Sequence, residues 1–326
     1  MNGEERLWQI ARGFHVSRIL LTAVELGVFA AVGDGSKTSA EVASEIGTDP
    51  RATDRLMNAV VALDLMAKDG GRFSNSPDVR ELLVPGKPGY IGAALGHAVS
   101  LWRSWSTLTD AVRAGTSVVK RDPGFTEPFI AAMHHFATQL ADMVIGHLDL
   151  AGVRRVLDVG GGSGAYSIAF CRAKPELQAV VFDLPEVVPL TQRYVREAAM
   201  ADQIATVAGD YNVDDLGSGF QLVWLSQILH ANSADENAAL IRKCRAALDP
   251  GGRIAIQDFI IDPDRTSPPS AALFSLNMLV GTHAGDTYTE VEIAEWLSAA
   301  GFSHIRRVDP PESGTSLMLA QRDASS

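Results

Sequence analysis

Val156-Leu157-Asp158-Val159-Gly160-Gly161-Gly162-Ser163-Gly164 is the stretch on which the reading of this chain turns. Arg154 to Val159 is a short apolar run of strand type, and the glycines that follow end it with a turn that only residues lacking a Cβ make closely. Ala165 to Ala173 then reads as a helix. The loop therefore belongs outside the carboxyl end of a first strand in a parallel α/β sheet, where such sheets bind ligands. Gly160, Gly161, Gly162 and Gly164 are candidate cofactor-binding residues on this ground.

The details of the loop bear on which cofactor. Ala165 stands where a dinucleotide fingerprint would place its last glycine, and the lysine of a phosphate-binding loop is missing. Asp158, just before the glycines, is out of place beside a pyrophosphate and suits the cationic ammonium and sulfonium of S-adenosylmethionine. Asp183 ends a second strand, Val180 to Asp183, at about 20 residues past the glycines, the spacing at which an acid reaches ribose hydroxyls. Ala208-Gly209-Asp210-Tyr211 follows a third strand, Ile204 to Val207, and places Asp210 to accept from an adenine amino group beside an aromatic ring. Any one of these acids reads equally well as a solvated strand-end residue; the three together favour the sulfonium cofactor.

Leu157 to Gly164, Phe182-Asp183-Leu184-Pro185, Gly209-Asp210, a segment holding His230 and Gly251-Gly252-Arg253-Ile254 together resemble the dimeric S-adenosylmethionine-dependent O-methyltransferases of plant phenolic and bacterial polyketide metabolism. The likeness covers nearly the whole chain. It implies an α/β fold: a Rossmann-like methyltransferase domain over 151–326, preceded over 1–150 by a mostly helical dimerisation and substrate-lid domain with a winged-helix-like part at about 38–83. Leu184, Gly209, Tyr211, Ser226 and Gln227 complete the cofactor set.

Composition is consistent with such an enzyme. The chain of 326 residues can bury two cores, and 46% hydrophobic with 21% charged residues is an ordinary globular balance. A net charge of −11 argues against a nucleic-acid binder, which needs a basic face. Cys171 and Cys244 form no C-x-x-C pair and read as small apolar side chains of a reduced, cytoplasmic protein. Met1 to Ile10 lacks the apolar centre of a signal peptide, and Arg12, His15, Arg18 and Glu25 interrupt the apolar run from Leu7 to Val32, so no membrane span is expected.

That run reads as one helix, with Leu7, Ile10, Ala11, Phe14, Leu21, Val24 and Val28 at three- and four-residue steps. Its apolar surface is too wide for one core-facing stripe, and the resemblance implies a homodimer interlocked through this region. Thr38-Ser39-Ala40-Glu41, with Ser39 read as the cap, and Asp49-Pro50 begin two short helices, the second running to Leu65, and Asp69-Gly70-Gly71-Arg72 tips a hairpin. Two helices and a wing resemble a DNA-binding module, but Thr38 to Leu83 carries five Lys or Arg against eight Asp or Glu, which favours a structural role.

Further helices are expected over Leu95 to Val112 and Phe129 to Leu150, joined by a loop with Gly115, Pro123 and Gly124. The resemblance places this helical layer over the cofactor, which makes Trp105, Phe129 and Met133 substrate candidates alongside Phe274 and Met278 from the apolar helix Leu273 to Val280. His134, His135 and His147 lack the spacing of metal ligands, so packing or solvent exposure is expected of them and no metal is predicted.

His230 leaves the carboxyl end of a fourth strand, Leu222 to Leu225, and in the resembling family the histidine at this place is the general base. A side chain that titrates near neutrality suits removal of a hydroxyl proton while oxygen attacks the methyl carbon. Asp258, ending a fifth strand, matches the family acid that orients it. Ala231 and Thr287 stand where the family has acids. The reading is therefore an O-methyltransferase for a small apolar or aromatic hydroxyl compound. An S-, N- or C-methyltransferase of the same fold, with a thiol acceptor foremost, and a non-methylating cofactor-binding regulator are the alternatives.

Overall fold

The helix expected from Leu7 to Val32 is broken in two in the computed structural model, which describes residues 2–120, 124–311 and 313–324. α1 (Gly3–Glu25) and α2 (Val28–Val32) meet at Gly27, whose φ of 75° ends the first helix. After β1 (Lys37–Thr38), Thr38 caps α3 (Ser39–Ile46) in a reciprocal box with Glu41, and Asp49 caps α4 (Pro50–Ala62). α4 stops before the expected Leu65 because Asp64 turns left-handed and the chain enters β2 (Met66–Asp69). Gly70 and Gly71 close β2 onto β3 (Arg72–Asn75), and β1 pairs with the far edge of β3. α5 (Pro77–Leu83) and α6 (Gly92–Trp105) follow.

Phe29, Met57, Val60 and Phe73 make the centre of this first unit, and the Asn75 amide donates to the carbonyls of Phe29 and Gly33 across it. Each such fully buried apolar side chain stabilises by ~1.5–3 kcal/mol. The front of α1 takes no part in that core. Leu7 and Ile10 are each 68% exposed, and Trp8, Phe14 and Val16 are exposed beside them.

The chain divides into compact units after Arg103, ahead of the junction expected at 151–154. The reason is packing: Ala141, Val144 and Ile145 of α8 (Thr126–Ile145) lie in one core cluster with Val156, Phe170 and Trp224 of the sheet domain, so this helix belongs with the sheet. The helix expected over Leu95 to Val112 is two helices, α6 and α7 (Leu108–Ala114), separated by a turn at Thr107. Pro123 of the following loop lies outside the described residues.

The second unit then alternates β4 (Arg155–Val159), α9 (Ala165–Ala173), β5 (Gln178–Asp183), α10 (Val188–Glu197), β6 (Ile204–Ala208), β7 (Phe220–Ser226), α11 (Ala234–Ala247) and β8 (Leu248–Asp258). β9 (Ile260–Ile261), α12 (Pro269–Gly281), β10 (Tyr288–Thr289), α13 (Glu290–Ala299), β11 (Phe302–Val308) and β12 (Ser316–Arg322) complete it. The main sheet runs β11-β12-β8-β7-β4-β5-β6, with β4 to β8 parallel and β12 antiparallel to both of its neighbours. Alternate residues serve opposite faces. Val156, Leu222 and Trp224 pack under α8 and α9, whereas Leu157, Val159, Val223 and Leu225 pack under α11 and α13. Chain order reverses at β4, which has β5 on one side and β7 on the other, so the crevice beyond its carboxyl end is the switch point of the sheet.

Candidate active site

The glycine loop occupies that crevice. The Gly160 N–H donates to the Phe182 carbonyl at 2.7 Å, fixing the loop to β5, and the Gly162 N–H donates to Asp183 Oδ2 at 2.7 Å. The Thr191 hydroxyl donates to the Gly162 carbonyl at 2.5 Å. A Cβ on Gly160 would stand 2.4 Å from Ile228 Cδ1, and Gly162 holds a φ of 56°. Gly164, also left-handed, is the N-cap of α9.

The acids are divided by the sheet. Asp158 shares the face of Val156 and Trp224, so it points under α9; it is 1% exposed, and the Ser167 hydroxyl donates to its Oδ2 at 2.7 Å. Burial first, with Asp183 nearby as a smaller cause, pushes its pKa up to about 7. Its carboxyl thus supports the loop from behind, directly beneath Gly161. Asp183 lies in the crevice. Its Oδ1 accepts from the Leu184 N–H and its Oδ2 from Gly162, so each oxygen keeps a lone pair for a further donor. Desolvation raises its pKa, against which the two backbone N–H groups act.

Gly209 donates its N–H to the Asp183 carbonyl, placing Asp210 and Tyr211 next to this strand end. Asp210 Oδ1 accepts from the Asn212 N–H, and the Tyr211 ring lies 3.8 Å from the position of a Gly160 Cβ, with its hydroxyl on Asn232 Oδ1 at 3.0 Å. Burial pushes the Tyr211 phenol up to about 12. On the other side of the loop, Gln227 has a φ of 56°, a conformation rare for a side-chain-bearing residue, and its N–H donates to the Gln257 carbonyl. Ser226 Oγ donates to Gln257 Oε1 at 3.0 Å. A cradle of close backbone, two carboxylates and one aromatic ring fits a nucleoside bearing a cationic sulfonium.

His230 rises from a single 3-10 turn, Leu229 to Ala231, just beyond β7. Its Nδ1 is 2.7 Å from Asp258 Oδ1, and Asp258 Oδ2 accepts from the His230 N–H at 3.3 Å. A carboxylate only accepts, so Nδ1 carries the proton and the neutral ring keeps its lone pair on Nε2. Phe274 meets the imidazole edge-on at 4.9 Å and stacks on Phe259 at 4.0 Å. Neither Ala231 nor Thr287 carries a carboxylate, and the neighbouring Asp286 is engaged elsewhere. Thr287 is fully buried with its hydroxyl unpartnered, and the Asp286 carboxylate takes the Arg265 guanidinium and the Thr287 N–H.

The other substrate candidates fall on α6, α8 and α12. The Trp105 indole donates to Asn277 Oδ1 at 2.9 Å, which ties it to α12; Phe129 stacks on Phe125; Met278 is buried and Met133 half-buried. Sequence reasoning missed His134, whose Nδ1 is 2.8 Å from Ser163 Oγ in the glycine loop, and Thr191 and Phe259 with it. No spacing signals these contacts, because each joins elements distant in the chain. Among the described residues no group of three or more His, Cys, Asp or Glu stands together as metal ligands.

The O-methyltransferase domain model matches residues 105–303, and the O-methyltransferase dimerisation domain model matches residues 8–85. The chain is 37% identical over 316 residues to the 3-hydroxy-5-methyl-1-naphthoate 3-O-methyltransferase of Streptomyces sahachiroi, covering 93% of this chain and 90% of that one. It is 33% identical over 317 residues to the tetracenomycin polyketide synthesis 8-O-methyl transferase of Streptomyces glaucescens, covering 94% and 93%. Among solved structures, human N-acetylserotonin methyltransferase in complex with S-adenosylmethionine superposes with a TM-score of 0.85 at 27% identity, covering 99% of each chain.

Proposed function

This chain belongs to the S-adenosylmethionine-dependent O-methyltransferase family, and from that membership we propose that it methylates an aromatic hydroxyl with His230 as the general base. The observation that carries this reading is the 2.7 Å contact between His230 Nδ1 and Asp258 Oδ1, at the sheet edge that also bears the glycine loop. The cofactor supplies an electrophilic methyl group on a sulfonium. The chain's own part is to bind, orient and take a proton. Backbone from Gly160 to Gly164, together with Asp183, Leu184, Gly209, Asp210, Tyr211, Ser226 and Gln227, would hold the cofactor, with the spare lone pairs of Asp183 for ribose hydroxyls.

The hydroxyl proton of the acceptor passes to Nε2, and Asp258 pairs with the imidazolium so formed. Phe259 and Phe274 line the imidazole with a flat apolar wall, which favours an aromatic acceptor and keeps water from the base. The naphthoate and tetracenomycin relatives support the same class of acceptor. The match to the dimerisation domain and the exposed apolar front of α1 support a homodimer, in which the winged-helix-like stretch at 38–83 serves structure rather than DNA. No described helix is long and apolar enough to cross a membrane, and the two free, buried cysteines, Cys171 and Cys244, support a cytoplasmic enzyme.

Incubation with labelled cofactor and a panel of phenols, thiols, carboxylates and amines is expected to give a labelled phenol ether. Against that phenol, His230→Ala or His230→Gln lowers turnover by roughly two to four orders of magnitude while S-adenosylhomocysteine binding persists, and Asp258→Asn costs less. Near-full turnover by His230→Ala would remove the general base and leave alignment alone to drive transfer.

A further inference from the structure

We propose that His134 is a positioning residue for the cofactor loop, latching it to α8 through the Ser163 hydroxyl. The inference rests on the cofactor reading of the loop given above. Ser163 is buried between Gly162 and Gly164, and it presents Oγ to His134 Nδ1 at 2.8 Å. The imidazole is itself held: it stacks on the Tyr194 ring of α10 at 4.0 Å and 21°. A second tie runs alongside, because Arg193, which lies over the Tyr194 ring, pairs with Glu127 at the start of α8 at 2.7 Å. Ile130 of the same helix reaches to 3.5 Å from the place of a Gly162 Cβ.

A loop this rich in glycine loses more backbone freedom on ordering than any other sequence would, and a ligand that must order it binds more weakly by that amount. Three side chains fix this loop before any ligand arrives. Asp183 holds the Gly162 N–H from β5, Thr191 holds the Gly162 carbonyl from α10, and His134 holds Ser163 from α8. The third differs in its origin, since α8 also carries the substrate candidates Phe129 and Met133. His134 thus joins the helix expected over the acceptor to the loop that takes the cofactor. Burial lowers the pKa of His134, so the ring stays neutral and Nδ1 is able to accept from the serine hydroxyl.

The test is calorimetry of S-adenosylhomocysteine binding to the unaltered protein and to His134→Ala, Ser163→Ala and the double variant, with thermal melts alongside. Each single change is expected to weaken binding roughly fivefold, the worth of one hydrogen bond. The double variant should bind no more weakly than the worse single one, because both remove the same contact. His134→Asn, which keeps a polar side-chain atom near the place of Nδ1, should recover most of the affinity. Gln139→Ala, exposed on the same helix, should leave it unchanged. Undiminished binding by His134→Ala, or losses that multiply in the double variant, would overturn the latch while leaving the cofactor assignment intact. If His134→Ala does not fold, Ser163→Ala compared with His134→Asn decides the matter by the same criterion. No binding by the unaltered protein would overturn the cofactor reading and the latch together.

Discussion

Asp158 stands just before the glycines, near the end of β4, and is 1% exposed. The period of two along β4 puts it on the face of Val156, beneath α9, so its carboxyl meets Ser167 in the interior. Its folded pKa of about 7 lies above the ordinary aspartate value, so the stability it contributes is complete in acid and is lost as pH rises through about 7. The melting temperature of the ligand-free protein is therefore expected to fall between about pH 4 and about pH 7 and to level off above that, and Asp158→Asn to flatten that fall. Equal slopes for the two proteins, measured by scanning fluorimetry, would place the titration elsewhere. His230, Asp258 and Asp183 were legible because each stands at a strand end with a neighbouring motif. His134 and Phe259 were not, since their partners are brought to them only by the docking of α8 and α12.

At the scale of elements, the strand–loop–helix unit from β4 to α9 has the form its sequence predicts, and the caps at Thr38, Asp49, Ser233 and Thr289 sit where polar residues precede apolar periods. Helix ends set by a single left-handed residue were harder: Gly27 and Asp64 each end a helix that periodicity alone would continue. The loop's function follows from its backbone. Gly162→Val forces a branched side chain onto a φ of 56°, so cofactor binding should be nearly abolished. Asp183→Ala removes the acceptor for the Gly162 N–H along with any ribose contact and should weaken S-adenosylhomocysteine roughly tenfold or more. Calorimetry on both variants, with melts to show that each still folds, checks the pair; affinity as in the unaltered protein would deny the loop its role.

For the whole molecule, the α/β class and the order of its elements could be read from alternating strand and helix patterns, whereas the division after Arg103 could not. α8 looks like a member of the helical front half until its buried face is seen against the sheet. The proposed homodimer would form through the exposed apolar front of α1. Leu7→Glu with Phe14→Glu places charge on an exposed apolar surface without touching the core of the first unit, and the variant is expected to elute as a monomer where the unaltered protein elutes as a dimer. Light scattering after gel filtration distinguishes the two, and an unchanged dimer would exclude this face. The sheet carries one more consequence, in time rather than space. β12 lies between β8 and β11 although about sixty residues separate it from the end of β8. On a ribosome working at ~5–20 residues per second, β8 waits about 3–12 s with one edge open before its neighbour exists. That open edge is a template for pairing with other nascent chains, and closing it is the last act in building the sheet.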